Sequence, residues 1–326
     1  MFELSLVIAL ALAFDFINGF HDTANAIATS IATRVLSPAQ AITMAAFLNF
    51  TGAMVSTGVA WTIGHGIINP HLIDNRVISA GLIGAIAWNL ITWYGGLPSS
   101  SSHALIGGLA GAAAAAKGLV ALNARGLVEK IFLPLFASPL VGFGTAYLVM
   151  GLILFLVGYA SPRRLNSSFA RLQILSAAFM AFSHGANDAQ KSMGIITAAL
   201  LAGGEISSFR VPCLVIIACA AAMALGTSLG GWRIIRTVGS RIIKLEPIHG
   251  FAAETTAAMV IITASLLGSP VSTTHVLSAA VMGVGATRRV TAVRWNVAGR
   301  MVQAWLLTAP AAALVAGAVY NLLGVI

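Results

Sequence analysis

The stretch Asn18-Gly19-Phe20-His21-Asp22-Thr23-Ala24-Asn25 decides how this chain is read. It is polar and contains a glycine, yet it lies inside a long apolar run. A related stretch, His184-Gly185-Ala186-Asn187-Asp188-Ala189-Gln190-Lys191, stands 166 positions later, again within an apolar run. Ionisable groups deep in apolar sequence are costly in a membrane and by default mark a substrate or ion pathway. Paired interruptions at corresponding places in two halves point to a transporter built from repeats.

The surrounding composition agrees. Of 326 residues, 58% are hydrophobic and only 8% are charged, against about 25% charged in a soluble domain. Apolar runs long enough to span recur along nearly the whole length, so the chain reads as a polytopic all-α membrane protein. No polar stretch is long enough for a separate soluble domain. The run Leu4–Phe16 has signal-peptide length, but no basic segment precedes it and no small-residue cleavage site closes it, so it is read as retained structure. The net charge of +9 marks a cytoplasmic face rather than a nucleic-acid partner. Cys213 and Cys219 share one apolar helix and support neither a disulfide framework nor a metal site.

Outward from the first motif, the pattern predicts a span over 4–34, broken near Asn18–Asp22. Pro38 opens a second span to about 63, and a loop, His65–Arg76, follows. The apolar stretch 77–116 is interrupted at Pro98-Ser99-Ser100-Ser101-Ser102-His103. As one straight helix it would reach about 60 Å, twice a bilayer core, so it must fold back as a hairpin with the Pro-Ser stretch at its tip. A polar loop, Lys117–Lys130, leads to a last span over about 131–160. The second half repeats the plan: a broken span at 172–203, a span at 211–229, a basic loop Gly230–Glu246, a hairpin over 249–286 and a span over 297–323. The second hairpin turns at Pro270-Val271-Ser272-Thr273-Thr274-His275. The resulting division is a first repeat 1–160, a cytoplasmic linker 161–171 and a second repeat 172–326.

One broken span, one further span, a returning hairpin and a last span give each half an odd number of crossings. The second copy is then inverted relative to the first, each repeat carrying a broken helix and a hairpin whose tip lies in the membrane. Basic residues test the topology. With the N-terminus outside, twelve Lys and Arg fall in the cytoplasm, among them Arg34, Arg163, Arg164, Arg233, Lys244 and Arg294, against five outside, with Lys191 left in the membrane.

Nine acids are present, and Asp15, Asp22, Asp188 and Glu254 fall inside apolar segments. Asp15 is read as a hydrogen-bonded residue gluing helices. Asp22 and Asp188 occupy matching places, where a carboxylate with unwound carbonyls suits a sodium ion and a carboxylate alone carries a proton. At the tips, Ser100, Ser101 and Ser102 correspond to Ser272, Thr273 and Thr274, and His103 to His275. Hydroxyls there can simply cap a helix. They can also join the free N–H groups and dipole of a half-helix in binding a small tetrahedral anion. Lys191 stands where the first repeat has Asn25. Its ammonium replaces a sodium ion and leaves coupling to a proton, contacts the anion, or pairs with Asp188. Glu254 is a coupling or gating residue, or a packing one. His21, His103 and His275 support the motifs by hydrogen bonding, and no zinc site is expected among the histidines.

These residues resemble the inorganic phosphate transporter (PiT) family, in its prokaryotic low-affinity permease form. The resemblance rests on duplicated GxNDxANA-like signatures, here Gly19–Ala26 and Gly185–Ser192, and on P-x-S-S/T-S/T-H tips in each half. It covers essentially the full chain. It implies a symporter in the cell (inner) membrane that imports inorganic phosphate with a cation, H+ or Na+, in some prokaryotic members as a metal-phosphate complex, with no cofactor. Carried over by position, Asp22, Asn25, Asn187 and Asp188 are implied cation or phosphate ligands, and Ser100–Ser102 and Ser272–Thr274 phosphate ligands. Two departures, His21 for the asparagine of the first signature and Gln190-Lys191 for Ala-Asn in the second, resemble the proton-coupled bacterial branch. Sulfate carriers in the family leave sulfate as an alternative anion, and a homo-oligomer stays open. An intramembrane hydrolase is disfavoured, because no G-x-S-x-G elbow is present and one catalytic site needs no duplicate. An anion channel has no use for buried carboxylates.

Overall fold

A computed structural model describes residues 2–66, 74–157 and 162–323, and these are all-helical, with no strand among them. The first half contains α1 (Phe2–Ala32), α2 (Pro38–Ala53), α3 (Gly58–Gly66), α4 (Asn75–Tyr94), α5 (Ser101–Lys117), the short α6 (Ala124–Gly126) and α7 (Leu133–Val157). The second contains α8 (Pro162–Ala202), α9 (Cys213–Leu229), the short α10 (Trp232–Arg236), α11 (Pro247–Leu266), α12 (Thr273–Arg288) and α13 (Trp295–Leu322).

The two halves follow one plan. In each, two helices form the hairpin, α4 with α5 and α11 with α12. In each, the second span is a bent pair: α2 meets α3 at 71°, and α9 meets the segment Trp232–Arg241 at 61°. Four described helices are long and apolar enough to cross a membrane, and the bent pairs bring the number to six. The outer faces agree with that setting. Phe155 on α7 is 80% exposed and Leu314 on α13 is 76% exposed, an apolar surface that lipid, not water, accommodates.

Packing is exchanged between the halves. α1 lies against α9 and α8 against α2, while α5 lies against α13 and α12 against α7. The glycines of the motifs explain the first exchange. A Cβ on Gly226 of α9 would sit 1.9 Å from Phe16 O on α1, and one on Gly52 of α2 would sit 2.1 Å from Phe182 O on α8. Gly19 and Gly185 complete the two crossings, with Met223 O and Asn49 O at 2.3 and 2.2 Å from an added Cβ. Small residues let helix backbones touch where no hydrophobic effect drives them together.

This use of glycine corrects one expectation. α1 and α8 run unbroken through Asn18–Asp22 and His184–Asp188. Each repeat does contain a broken helix, but the break falls in the second span. Gly19 and Gly185 serve close approach, not unwinding, so helix carbonyls there stay in the intrahelical ladder and offer no ligands. Two loops are also shorter than read. Helix α8 begins at Pro162, so most of the linker 161–171 is its first turns, and the basic loop 230–246 holds α10 and the turn Thr237–Arg241. Residues 67–73 of the loop His65–Arg76 lie outside the described residues.

Candidate functional site

The hairpins position the site. Leu97-Pro98-Ser99 and Ser269-Pro270-Val271 stop the incoming arms, and a serine hydroxyl then caps each outgoing helix. Ser100 Oγ accepts from His103 N and Ser272 Oγ from His275 N, each at 3.2 Å. These two serines therefore do the capping, and the two hydroxyl residues after each turn inward. The tips meet, with Ser102 Oγ donating to Val271 O at 3.2 Å. His103 and His275 lie behind them, stacked at 4.7 Å, and His275 stacks on Trp305 at 4.1 Å. They brace the tips and do not touch the acids.

Both tips close on the acids of the two motifs. Asp22 Oδ2 accepts from Ser101 Oγ of the first tip (3.1 Å), and its Oδ1 accepts from Thr274 Oγ1 of the second (3.3 Å). His21 Nδ1 is 2.7 Å from Asp22 Oδ1, and with that nitrogen as donor its Nε2 faces Thr92 Oγ1 at 3.1 Å. Asn25 Nδ2 donates to Thr274 Oγ1 (2.8 Å) and Thr273 Oγ1 (3.4 Å). Thr273 Oγ1 in turn donates to Asp188 Oδ2 at 3.2 Å. Lys191 Nζ donates to Asp188 Oδ1, and His184 Nε2 lies 3.3 Å from Asp188 Oδ2. Asn187 satisfies its amide by accepting from Ser265 Oγ (2.8 Å) and donating to Val271 O (3.2 Å) and Asp188 Oδ1 (3.3 Å). All these side chains are buried, Lys191 included, at 1% exposure.

The arrangement offers two kinds of seat. Ser101, Ser102, Thr273 and Thr274 sit in the first turns of α5 and α12, where free N–H groups and the helix dipole favour an anion. Beside them, Asp22, His184 and Asp188 present ligand atoms all within 4.8 Å of one another, close enough for one cation. A buried ammonium is tolerable only when paired, and Lys191 is paired with Asp188.

Two further buried acids lie away from the tips. Glu254 on α11 accepts from Thr29 Oγ1 on α1, and from Gln173 Nε2 (3.2 Å) and Ser176 Oγ (2.5 Å) on α8. Thr29 is one helical turn past Asn25. Asp15 on α1 accepts from Ser192 Oγ on α8 at 2.7 Å, which is the helix-joining bond anticipated for it. Several partners escaped the sequence reading: Thr92 behind His21, Asn49 bonded to His184 (3.1 Å) and to Thr227 (2.9 Å), and the Gln173–Ser176 pair around Glu254. Their only signal was a lone polar residue on an otherwise apolar helix face.

Fold and site together define a multi-pass membrane transporter of duplicated build. A model of the phosphate transporter family matches residues 18–164 and 158–316, one stretch in each half. The chain belongs to that family. It is 49% identical over 324 residues to a probable low-affinity inorganic phosphate transporter of Bacillus subtilis, covering 98% of this chain and 97% of that one. A protein of the same description from Rhizobium meliloti is 50% identical over 316 residues, covering 96% and 94%. A solved structure described as the sodium-dependent phosphate transporter has a TM-score of 0.89 and 26% identity and covers all of both chains. These relatives are described as transporters of phosphate, so the hydrolase reading falls away and nothing in the comparisons supports sulfate.

Proposed function

We propose that the chain imports inorganic phosphate as a secondary symporter, with a proton as the coupling cation. Phosphate sits between the tips, taking donors from Ser101, Ser102, Thr273, Thr274, Asn25 and Lys191, while Ser100 and Ser272 hold the helix starts. Asp22, Asn187 and Asp188 handle the cation, and Glu254 couples or gates one turn away. The observation that carries the proton reading is the bond from Lys191 Nζ to Asp188, where the resembling signature has an asparagine. A fixed ammonium on that carboxylate supplies the positive charge a sodium ion would bring. Sodium dependence is the property named for the structural relative; the proposal is that this chain departs from it. The basic residues support an N-terminus outside and residues near 161–171 in the cytoplasm; the membrane proposed is the cell (inner) membrane.

The test is uptake of labelled phosphate into proteoliposomes under separate proton and sodium gradients, with sulfate and arsenate as competitors. Accumulation driven by an inward proton gradient, unaffected by sodium, and competed by arsenate but not by sulfate, is the expected result. Accumulation that follows sodium and ignores pH would overturn it. The cluster of Asp22, His184 and Asp188 favours a second form of the cargo, phosphate carried with a divalent metal. In that case a chelator abolishes uptake and added magnesium restores it.

A further inference from the structure

The two repeats match in backbone but not in every buried residue, and the mismatches locate what the fold does not require. Asp22 and Asp188, 166 positions apart, set the correspondence of α1 with α8, and Gly52 and Gly226, 174 apart, set that of α2 with α9. On this basis Asp15, Ser192 and Cys219 correspond to Ala181, Ala26 and Ala45, all three fully buried and apolar. The same crossing is thus built once from three alanines and once around a carboxyl. Helix packing alone does not ask for Asp15.

Asp15 is also unlike the other buried acids in how it is held. Both oxygens of Glu254 accept from hydroxyl or amide donors. Asp15 Oδ1 takes Ser192 and the Cys219 thiol lies against the carboxyl, but no hydroxyl, amide or ammonium reaches Oδ2, and neither amide atom of Asn18 has a partner. Asn18 lies one turn along the same helix face, between Asp15 and Asp22. A carboxyl oxygen met by nothing stronger than a thiol, beside an amide with no partner at all, both residues at 0% exposure, calls for a ligand or a titrating proton. The ionisable groups that face Asp15 are Cys219 on α9 and Asp188 and Lys191 on α8. Helix α2 carries no ionisable side chain, Arg76 of α4 is turned to Tyr320 on α13, and Tyr94 is exposed.

Charge balance says what the proton does. Asp15, Asp22 and Asp188 set three carboxylates against the one ammonium of Lys191, an excess of negative charge before any phosphate arrives. Adding an oxyanion to such a site in low dielectric is strongly unfavourable. We propose that Asp15 carries the coupling proton: its Oδ2 takes a proton from the outer solution, phosphate enters the partly neutralised site, and the proton leaves Asp15 for the cytoplasm after phosphate has gone. Asn18 bridges the proton site to Asp22. This rests on the proton-coupled reading above and adds Asp15 to it, as the group that holds the proton beside Asp22 and Asp188.

The experiment compares wild type, Asp15→Asn and Asp15→Glu in proteoliposomes with two assays. One is labelled-phosphate accumulation driven by an inward proton gradient. The other is phosphate–phosphate exchange at equal pH on both sides, which needs the carrier to cycle loaded but not to release the proton. Asp15→Asn is expected to lose accumulation by about tenfold or more while exchange stays within about twofold, and Asp15→Glu to restore accumulation. Accumulation by Asp15→Asn at the wild-type level would overturn the proposal. So would equal loss of both activities, which is the mark of a packing role. A wild-type protein that ignores the proton gradient would overturn the coupling reading itself, and the assignment of Asp15 with it.

Discussion

Asp22 and Asp188 hold the same place in two copies of one helix, but they live in different company. Asp22 is held by two hydroxyls, Ser101 and Thr274, with the His21 ring beside it. Asp188 is held by an ammonium, Lys191, with Thr273 and His184 beside it. The difference recurs farther along the same helices. Glu254, Gln173, Ser176 and Thr29 correspond to Leu82, Val7, Leu10 and Ile195, which belong to or pack on one buried apolar cluster. Duplication supplied two equal scaffolds. Polarity is then distributed unequally: one contact between the copies is polar, and its counterpart is hydrocarbon.

Where the copies match, damage should match. Gly226→Ala and Gly185→Ala each place a methyl against a backbone carbonyl at 1.9 and 2.2 Å. Both should abolish folded, monodisperse protein, judged by size-exclusion chromatography after extraction. If one were tolerated, the two crossings would not be equivalent. Where the copies differ, damage should differ. Asp188→Asn leaves Lys191 buried and unpaired, a penalty of about 3–5 kcal/mol, so folded yield should fall and partly recover when Lys191→Asn is added. Asp22→Asn leaves no orphaned charge. Its yield should stay near wild type while phosphate uptake falls about a hundredfold.

Smaller effects sharpen the same contrast. Glu254→Gln keeps the shape of its hydrogen-bonded cluster and removes the ionisable group. Uptake should drop about tenfold with little change in thermal stability, whereas Leu82→Ala at the corresponding place should lower stability by about 2–5 kcal/mol and spare the transport rate of the folded fraction. The reverse pattern at either site would dissolve the distinction. Smallest of all is His21→Asn, which restores the family-like residue. An amide can still donate to Asp22, so uptake should change less than about threefold.

Much of this was readable from residue order. Proline followed by hydroxyls announced both hairpin tips, because nothing else in an apolar stretch stops one helix and caps the next. The duplicated acids pointed to the candidate site, because a carboxyl is not kept in hydrocarbon without a partner. The pairing across halves was not readable. Asn25 bonds Thr273 and Thr274 across some 250 positions, and no local pattern encodes that. The continuity of α1 and α8 was misread for a physical reason: glycine beside polar residues signals unwinding in isolation, but here its missing side chain admits a neighbouring backbone. The true bends followed weaker signals, Ser56-Thr57-Gly58 and Gly230-Gly231, the first of those glycines having φ +71°.

In the proposed mechanism the Lys191 ammonium stands in for a cation on the second copy of the motif. Phosphate uptake by Lys191→Asn proteoliposomes, measured as external sodium is raised at constant pH, tests it most directly. Wild-type uptake is expected to be flat with sodium, and the variant's uptake to be slow without sodium and to rise as sodium is added. A variant that keeps the wild-type rate and shows the same indifference to sodium would contradict it.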